Sequence, residues 1–175
     1  MTNKNKSVGI ILLNKTADGL AAILQIRAKW NTEKNSSESW PGACQVTVHG
    51  KLEAGEDFMG ALLREIKEEL GEEILPAIRA LIDAGKIKEL IHKNTSEQEI
   101  VTYGAIIEEK FLKILMSKPK NQSFGGFRII SRNEIEKIVN LQTFDKKIGV
   151  TDKNIIAMFP DEKEAVWIAF EKLDI

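Results

Sequence analysis

The sequence predicts an α/β fold, and three observations carry that reading. Apolar runs rich in β-branched residues, beginning with Val8 to Leu13 and Leu20 to Ile26, read as strands. Amphipathic stretches of helical period, above all Met59 to Leu70 and Asp161 to Leu173, read as helices. Both kinds recur along 175 residues, long enough to bury a core and most simply one domain over 1–175, with 151–175 as a C-terminal helical extension.

The elements follow in order. Asn14 to Gly19 has turn chemistry, marked by Asp18-Gly19, and joins the first two strands. Arg27 closes the second. Residues 31–39, NTEKNSSES, hold no apolar residue and predict an exposed, mobile loop; no other low-complexity segment and no internal repeat is readable. Trp40-Pro41-Gly42 re-enters structure, and Gln45 to Val48 is a short strand. After the helix at 59–70, Leu75 to Ala84 reads as a second helix, with Pro76 in its first turn and Gly85 as its stop. Ile87 to His92 and Ile100 to Ile107 are strands around TSEQE, so Glu97 and Glu99 are loop or strand-start carboxylates. Phe111 to Met116 fits helix or strand, and Phe127 to Ile130 fits a strand. Ser131 and Glu134 have the spacing of a capping box, continued by Ile135, Ile138 and Val139. Thr151 to Phe159, broken by Pro160, and Asp161 to Leu173 predict two more helices. Ala165, Val166, Ile168, Ala169 and Leu173 fit docking against the domain or against a second copy in a homodimer; the sequence leaves both open.

Gly50 to Gly71, GKLEAGEDFMGALLREIKEELG, carries the chemistry. Glu65, Glu68 and Glu69 share one helical face, and Met59, Leu62, Leu63, Ile66 and Leu70 form an apolar stripe on another. Three clustered carboxylates repel one another unless a hard divalent cation sits among their oxygens, and Mg²⁺ or Mn²⁺ prefers such ligands. Gly50 and Gly55 permit a tight loop with open backbone carbonyls and amides, and Gly71 offers a left-handed cap. Arg64 meets Glu56 if the loop folds back.

These residues resemble the signature of the Nudix hydrolase superfamily, through Gly50, Glu56, Arg64, Glu65, Ile66, Glu68, Glu69 and Gly71. Glu72 stands where an aliphatic residue is usual, and His49 where a second glycine commonly precedes the box. The resemblance is tight over the box and looser over roughly residues 8 to 140. Together with the element pattern it implies an α/β/α sandwich: a mixed β-sheet between helices, with the loop-helix at its edge. It implies hydrolysis of a nucleoside diphosphate linked to another moiety, such as a nucleoside triphosphate, by water attacking phosphorus. Glu65, Glu68, Glu69 and the Gly50 carbonyl would hold Mg²⁺ or Mn²⁺, and Glu65 is an alternative base. Arg64 and Glu56 would orient the loop. Similar proteins present a basic residue to the phosphates near Arg27, and draw a further ligand or general base from the region of Glu99; a solvated strand end and a solvated turn are the plain alternatives. Trp40 is read either as a stacking surface for a base or as ordinary packing.

Composition sets bounds. With 25 basic and 26 acidic residues the charge is −1, which gives no electrostatic argument for a nucleic-acid polymer or an anionic membrane as partner. No apolar run approaches the length of a membrane span and no signal peptide is readable, which predicts a cytoplasmic protein. The single cysteine, Cys44, excludes an internal disulfide and fits a reducing compartment. His49 and His92 are isolated, which argues against zinc. Two other readings stand beside the hydrolase: a nucleotide-binding sensor module, and an enzyme like isopentenyl diphosphate isomerase, with Cys44 as the conceivable reactive group. Marks of three substrate subclasses are missing. Lys88 occupies the neighbourhood of the proline of ADP-ribose-cleaving relatives, Tyr103 is too distant for the tyrosine of dinucleoside-polyphosphate hydrolases, and the SQPWPFPxS pattern of NADH-cleaving relatives does not occur.

Overall fold

The computed structural model describes residues 4–32 and 34–174. Its longest strand, β1 (Asn5–Thr16), organises a seven-stranded mixed sheet. The turn at Asp18 returns the chain as β2 (Gly19–Ile26), antiparallel to the second half of β1, with Leu12 opposite Ile23. A small hairpin follows, β3 (Trp30–Asn31) with β4 (Ser36–Ser37), then β5 (Cys44–Gln45) on β2 and β6 (Val48–Lys51) on the first half of β1. Helix α1 (Phe58–Leu70), a short 3₁₀ turn and α2 (Leu75–Asp83) lead to the hairpin β7 (Lys88–Asn94) and β8 (Gln98–Ile107). β8 runs parallel to β1 and makes the sheet mixed. Helix α3 (Glu109–Met116) and edge strand β9 (Phe127–Ser131), antiparallel to β2, precede a 3₁₀ segment at Arg132–Lys137 that carries the expected Ser131–Glu134 capping box. The parallel pair β10 (Val139–Asn140) and β11 (Ala157–Met158) leads into α4 (Pro160–Leu173).

β1 is a fork, its first half bonded to β6 and its second to β2. At the point of divergence the buried Thr47 hydroxyl accepts the Leu12 amide at 2.9 Å and donates to the Ile23 carbonyl. One side chain thus satisfies two backbone groups that the split ladder would orphan.

Strand alternation divides the core. Val8, Ile10 and Leu12 pack with Ala61, Leu62, Ile66 and Leu70 of α1, Ile78 of α2 and Leu115 of α3. Ile11 and Leu13 face the other way, onto Ala165, Val166, Ala169, Phe170 and Leu173 of α4. The architecture is therefore an α/β/α sandwich. The apolar stripe of α4 is covered by the chain's own sheet, so the docking read from the sequence is intramolecular. Among the described residues no helix is long and apolar enough to cross a membrane.

Two expectations are corrected and a third is sharpened. No helix forms over Thr151–Phe159, which holds only β11. Asp152 turns its carboxylate onto the Asn154 amide at 2.8 Å, a local bond that competes with helix, and Pro160 keeps Phe159 extended at φ −64°, ψ 146°. Of residues 31–39, the described residues 32 and 34–37 are exposed, as expected, while the far end is tied down where Glu38 pairs with Arg27 at 2.8 Å and Asn31 donates to Glu38 at 2.9 Å. Gly71 ends α1 with φ 104° but ψ 161°, a glycine-only region other than the left-handed helical one.

Phe170 is 1% exposed at the centre of the α4 face, whereas Trp167 is 42% exposed on its back. Phe170→Ala is expected to cost about 3–5 kcal/mol of unfolding free energy in denaturant titration. Trp167→Ala should stay within about 0.5 kcal/mol of the parent.

Candidate functional site

The site begins with helix α1. Asp57 caps it by accepting the Gly60 amide at 2.7 Å. The same helical turn that buries Leu62 and Ile66 brings Glu65 inward, to 2% exposure, while Glu68 stays 52% exposed and Glu69 is half-buried. The three carboxylates share a helix face, as the spacing predicts, but occupy three different depths.

Gly50 explains how Glu65 fits. A Cβ at Gly50 would fall 1.8 Å from the Glu65 carboxyl carbon and 1.9 Å from Oε1. The missing side chain is the seat of the carboxylate. Arg64 holds it there, with Nη1 2.8 Å from Glu65 Oε1 and 3.5 Å from Glu68 Oε2. Arg64 is anchored in turn by Glu56, which accepts from Nε at 2.9 Å and Nη2 at 3.0 Å, and by the Lys51 carbonyl, which accepts from Nη2 at 2.7 Å. Glu56 also accepts the Glu53 amide at 2.8 Å. The folded-back loop is thus a charge-assisted clamp. The guanidinium's hydrogen bond, with help from the Glu53 amide, holds Glu56 down to about 2.

The other expected residues stand apart from this clamp. Glu99 opens β8, between Lys6 of β1 and Asn94 of β7, and bonds His92 Nε2 at 3.0 Å and pairs with Lys6 at 3.4 Å. His92 first, then Lys6, lowers its carboxyl below the ordinary range. Arg27 spends its donors inside the protein, on the Ser39 carbonyl (2.9 Å), Gln45 (3.1 Å) and Glu38 (2.8 Å). Trp40 packs edge-to-face on Phe159 at 5.5 Å and donates from Nε1 to the Phe144 carbonyl, which is the packing role of its two readings. Cys44 is 1% exposed, and burial pushes its thiol up to about 11. A thiol so placed is an inert core group, which disfavours the isomerase reading.

A cleft of about 430 Å³ lies on the α4 face of the sheet. Its floor includes Ser7, His49, Lys51 and Ile100, and Phe159, Asp161 and Glu162 at the start of α4 form its wall. Strand alternation connects it to the box: Val48 and Gly50 of β6 are buried, whereas His49 and Lys51 are exposed. The cleft environment disfavours the charged form of His49 and lowers its pKa, with Arg27 adding to the effect. A chamber of about 180 Å³ shares His49, Ile100, Asp161 and Glu162 with the cleft and continues past Val46 and Ala165. The sequence reading missed Phe159, Asp161 and Glu162. Their only signal was Phe-Pro-Asp-Glu opening an amphipathic helix, which reads equally as a helix start.

Among the described residues, the His, Cys, Asp and Glu side chains as they stand form no group of three placed to hold a metal ion. The donor set at α1 is nevertheless one of hard oxygens on a single helix face, next to the Gly50 backbone in which Glu65 is seated, and suits Mg²⁺ or Mn²⁺ chemically.

With the clamp and its glycine seat in place, the chain matches the NUDIX domain over residues 3–148 and belongs to that family. No curated protein matches it in sequence. Similar solved structures include the NUDIX domain of Shewanella oneidensis NrtR complexed with ADP ribose, with a TM-score of 0.57 and 14% identity over 99% of this chain and 90% of that one. A MutT from Aliivibrio salmonicida or Vibrio cholerae aligns at a TM-score of 0.53 and 14% identity over 97% and 99% of the two chains. A mutT/nudix family protein from Listeria innocua gives 0.52 and 18% over 78% and 84%. At such identities the likeness is one of fold.

Because Glu56 is depressed below the ordinary value of 4.5, its contribution to stability is fully present above that value and is lost as pH falls through about 2. Thermal melts of the wild type should therefore exceed those of Glu56→Gln at pH 7, with the gap closing between about pH 4 and pH 2. Gly50→Ala, which drives a methyl group into the Glu65 carboxylate, should cost about 1–3 kcal/mol in the same melts.

Proposed function

We propose that this protein hydrolyses a phosphoric anhydride in a nucleoside diphosphate derivative, a nucleoside triphosphate or related nucleotide, in a reaction dependent on Mg²⁺ or Mn²⁺. The observation that carries the reading is the Glu65 carboxylate seated against Gly50 and fixed by the Arg64–Glu56 clamp. Burying a carboxylate costs several kcal/mol, and so dedicated an arrangement implies use of the charge.

Glu65, Glu68, Glu69 and the Gly50 carbonyl would hold the cation. When bound it would neutralise the diphosphate oxygens and lower the pKa of a water molecule. Arg64 does not touch substrate in this scheme; it fixes the rotamer of Glu65 and the path of the 51–57 loop. Lys6 and Lys51, on the cleft floor beside the box, supply positive charge for phosphate oxygens. The proton of the attacking water goes to a carboxylate, either Glu99 or Glu65. Glu99 is kept ionised by His92 and Lys6, hence competent to accept a proton, although its lowered pKa makes it a weak base.

One observation favours a second reading, a nucleotide-binding module without turnover. The Arg64 guanidinium already lies between Glu65 and Glu68 and supplies a positive charge of its own. Complexation of the NrtR NUDIX domain with ADP ribose shows that a domain of this fold holds a nucleotide.

Purified protein should release phosphate-containing products from at least one nucleotide when Mg²⁺ or Mn²⁺ is present, resolved chromatographically. Glu68→Gln and Glu69→Gln should each lower turnover by orders of magnitude with melting temperatures unchanged. Parental turnover in either folded variant overturns the ligand assignment, and binding without products supports the module. Glu99→Gln should slow turnover by roughly 10²- to 10⁴-fold if it is the base; a change below about threefold transfers that role to Glu65.

A further inference from the structure

The loop between α3 and β9, residues 117–126, reads SKPKNQSFGG and holds two lysines and no acid. It is tied down along its length. The Ile26 amide at the end of β2 donates to the Gly126 carbonyl at 2.8 Å, the Trp30 amide donates to the Gln122 carbonyl at 3.0 Å, and Asn121 bonds Ser123 and Phe124 across the turn. A Cβ at Gly125 would fall 2.4 Å from the Ile26 carbonyl oxygen, so a side chain there would hold the loop away from β2.

Closure of the loop draws one lysine inward. Lys118 is half-buried while Ser117, Pro119 and Lys120 around it are exposed. Its ammonium donates to the Glu69 carbonyl at 2.6 Å, lies 5.6 Å from the centre of the Phe124 ring, and has the Glu73 and Glu69 carboxylates within electrostatic reach. Phe124 is held in turn by an edge-to-face contact with Phe127 at 5.1 Å. A lysine on an exposed loop ordinarily keeps its ammonium in water; this one is brought to the end of the helix that carries the three carboxylates.

A helix cap accounts for the hydrogen bond and for nothing else. Charge accounts for more. With a divalent cation bound, that ion and Arg64 together match Glu65, Glu68 and Glu69, and nothing on the carboxylate face remains to oppose a diphosphate's own negative charge. Lys51 approaches from the β6 side of α1. Lys118 stands at the other end of the carboxylate row, beside Glu69. Among the described residues one of its three N–H groups is engaged, which leaves two for a ligand. Its stem is already fixed, so little side-chain ordering accompanies binding.

Resting on the hydrolase reading, we infer that Lys118 is a ligand for phosphoryl oxygens, and that the α3–β9 loop is the wall that presents it. One phosphoryl group of the diphosphate lies between Glu69 and this loop, at the opposite end of the carboxylate row from Lys51. Lys120, exposed and with its stem laid over Gly126, is outside the assignment.

The test titrates two probes calorimetrically: Mn²⁺ alone, and methylenediphosphonate in the presence of Mg²⁺, a diphosphate mimic whose bridging carbon prevents hydrolysis. Lys118→Gln keeps an N–H donor and drops the charge. It should melt with the wild type, bind methylenediphosphonate about tenfold or more weakly, and bind Mn²⁺ at least as tightly, because a positive charge has left the neighbourhood of Glu69. Lys118→Met should show the same loss, Lys118→Arg should recover most of the affinity, and Lys120→Met should stay within about twofold of the wild type. A capping role predicts otherwise: glutamine would rescue, and methionine, by loosening the end of α1, would weaken both probes together. That pattern, unchanged diphosphonate affinity in folded Lys118→Gln, or a wild type that does not bind the diphosphonate overturns the inference. Because no turnover is read, Lys118-dependent binding in a protein that cleaves no anhydride would sink the hydrolase reading and leave this ligand standing, and hydrolysis with Lys118-independent binding would do the reverse.

Discussion

A carboxylate buried against a glycine is the constraint on which the α1 face of the molecule depends. At 2% exposure, Glu65 is removed from water and must be compensated within the protein. Arg64 does this, and a guanidinium can hold that position only if its other donors are satisfied, which obliges the loop to bring back Glu56 and the Lys51 carbonyl. The shape of residues 51–57 follows from a single charge placed inside. Between its ends, where Leu52 packs against the core and Asp57 caps α1, the loop is otherwise open: Glu53 and Gly55 are exposed and no Cβ at Gly55 would meet a neighbour within 4 Å.

The sheet is used on both faces near this point. Successive residues of β6 point alternately toward α1 and toward α4, so four residues serve the carboxylate seat on one side and the cleft on the other. His49 occupies a cleft-facing position, where a side chain has room; Gly50, one residue on, tolerates none. The departure from the usual glycine at 49 is therefore accommodated by strand geometry, without disturbing the seat of Glu65.

Much of this was legible in the sequence because its periodicities are local. The apolar patterns over 8–13, 20–26, 100–107, 59–70 and 161–173 each fall inside a strand or helix of the type they predict. The Arg64–Glu56 pair was legible through the spacing of the box, and its geometry matches. What escaped depended on contacts distant in the chain. Arg27 and Trp40 each carry two readings in the sequence, and it takes Glu38 on the one and Phe159, from far along the chain, against the other to say what each side chain touches. Phe159 and Glu162 reach the cleft only because α4 folds across the sheet, and no period in their own segment announces it. The helix expected over 151–159 failed for the opposite reason: an Asp152 turn and Pro160 overrode a sufficiently apolar composition.

The hydroxyl of Thr47 has a consequence beyond the two backbone groups it satisfies. It pegs the chain just before β6 to Leu12 on one strand and Ile23 on another. Because side chains alternate, a slip of β6 by one residue would turn His49 against Glu65 and leave Gly50 looking into the cleft. A peg held from two directions opposes such a slip, which would break both bonds. Thr47 thus reinforces the register that the β1–β6 ladder and the buried Val48 set, and the allocation of residues between the carboxylate seat and the cleft leans on a hydroxyl that belongs to neither.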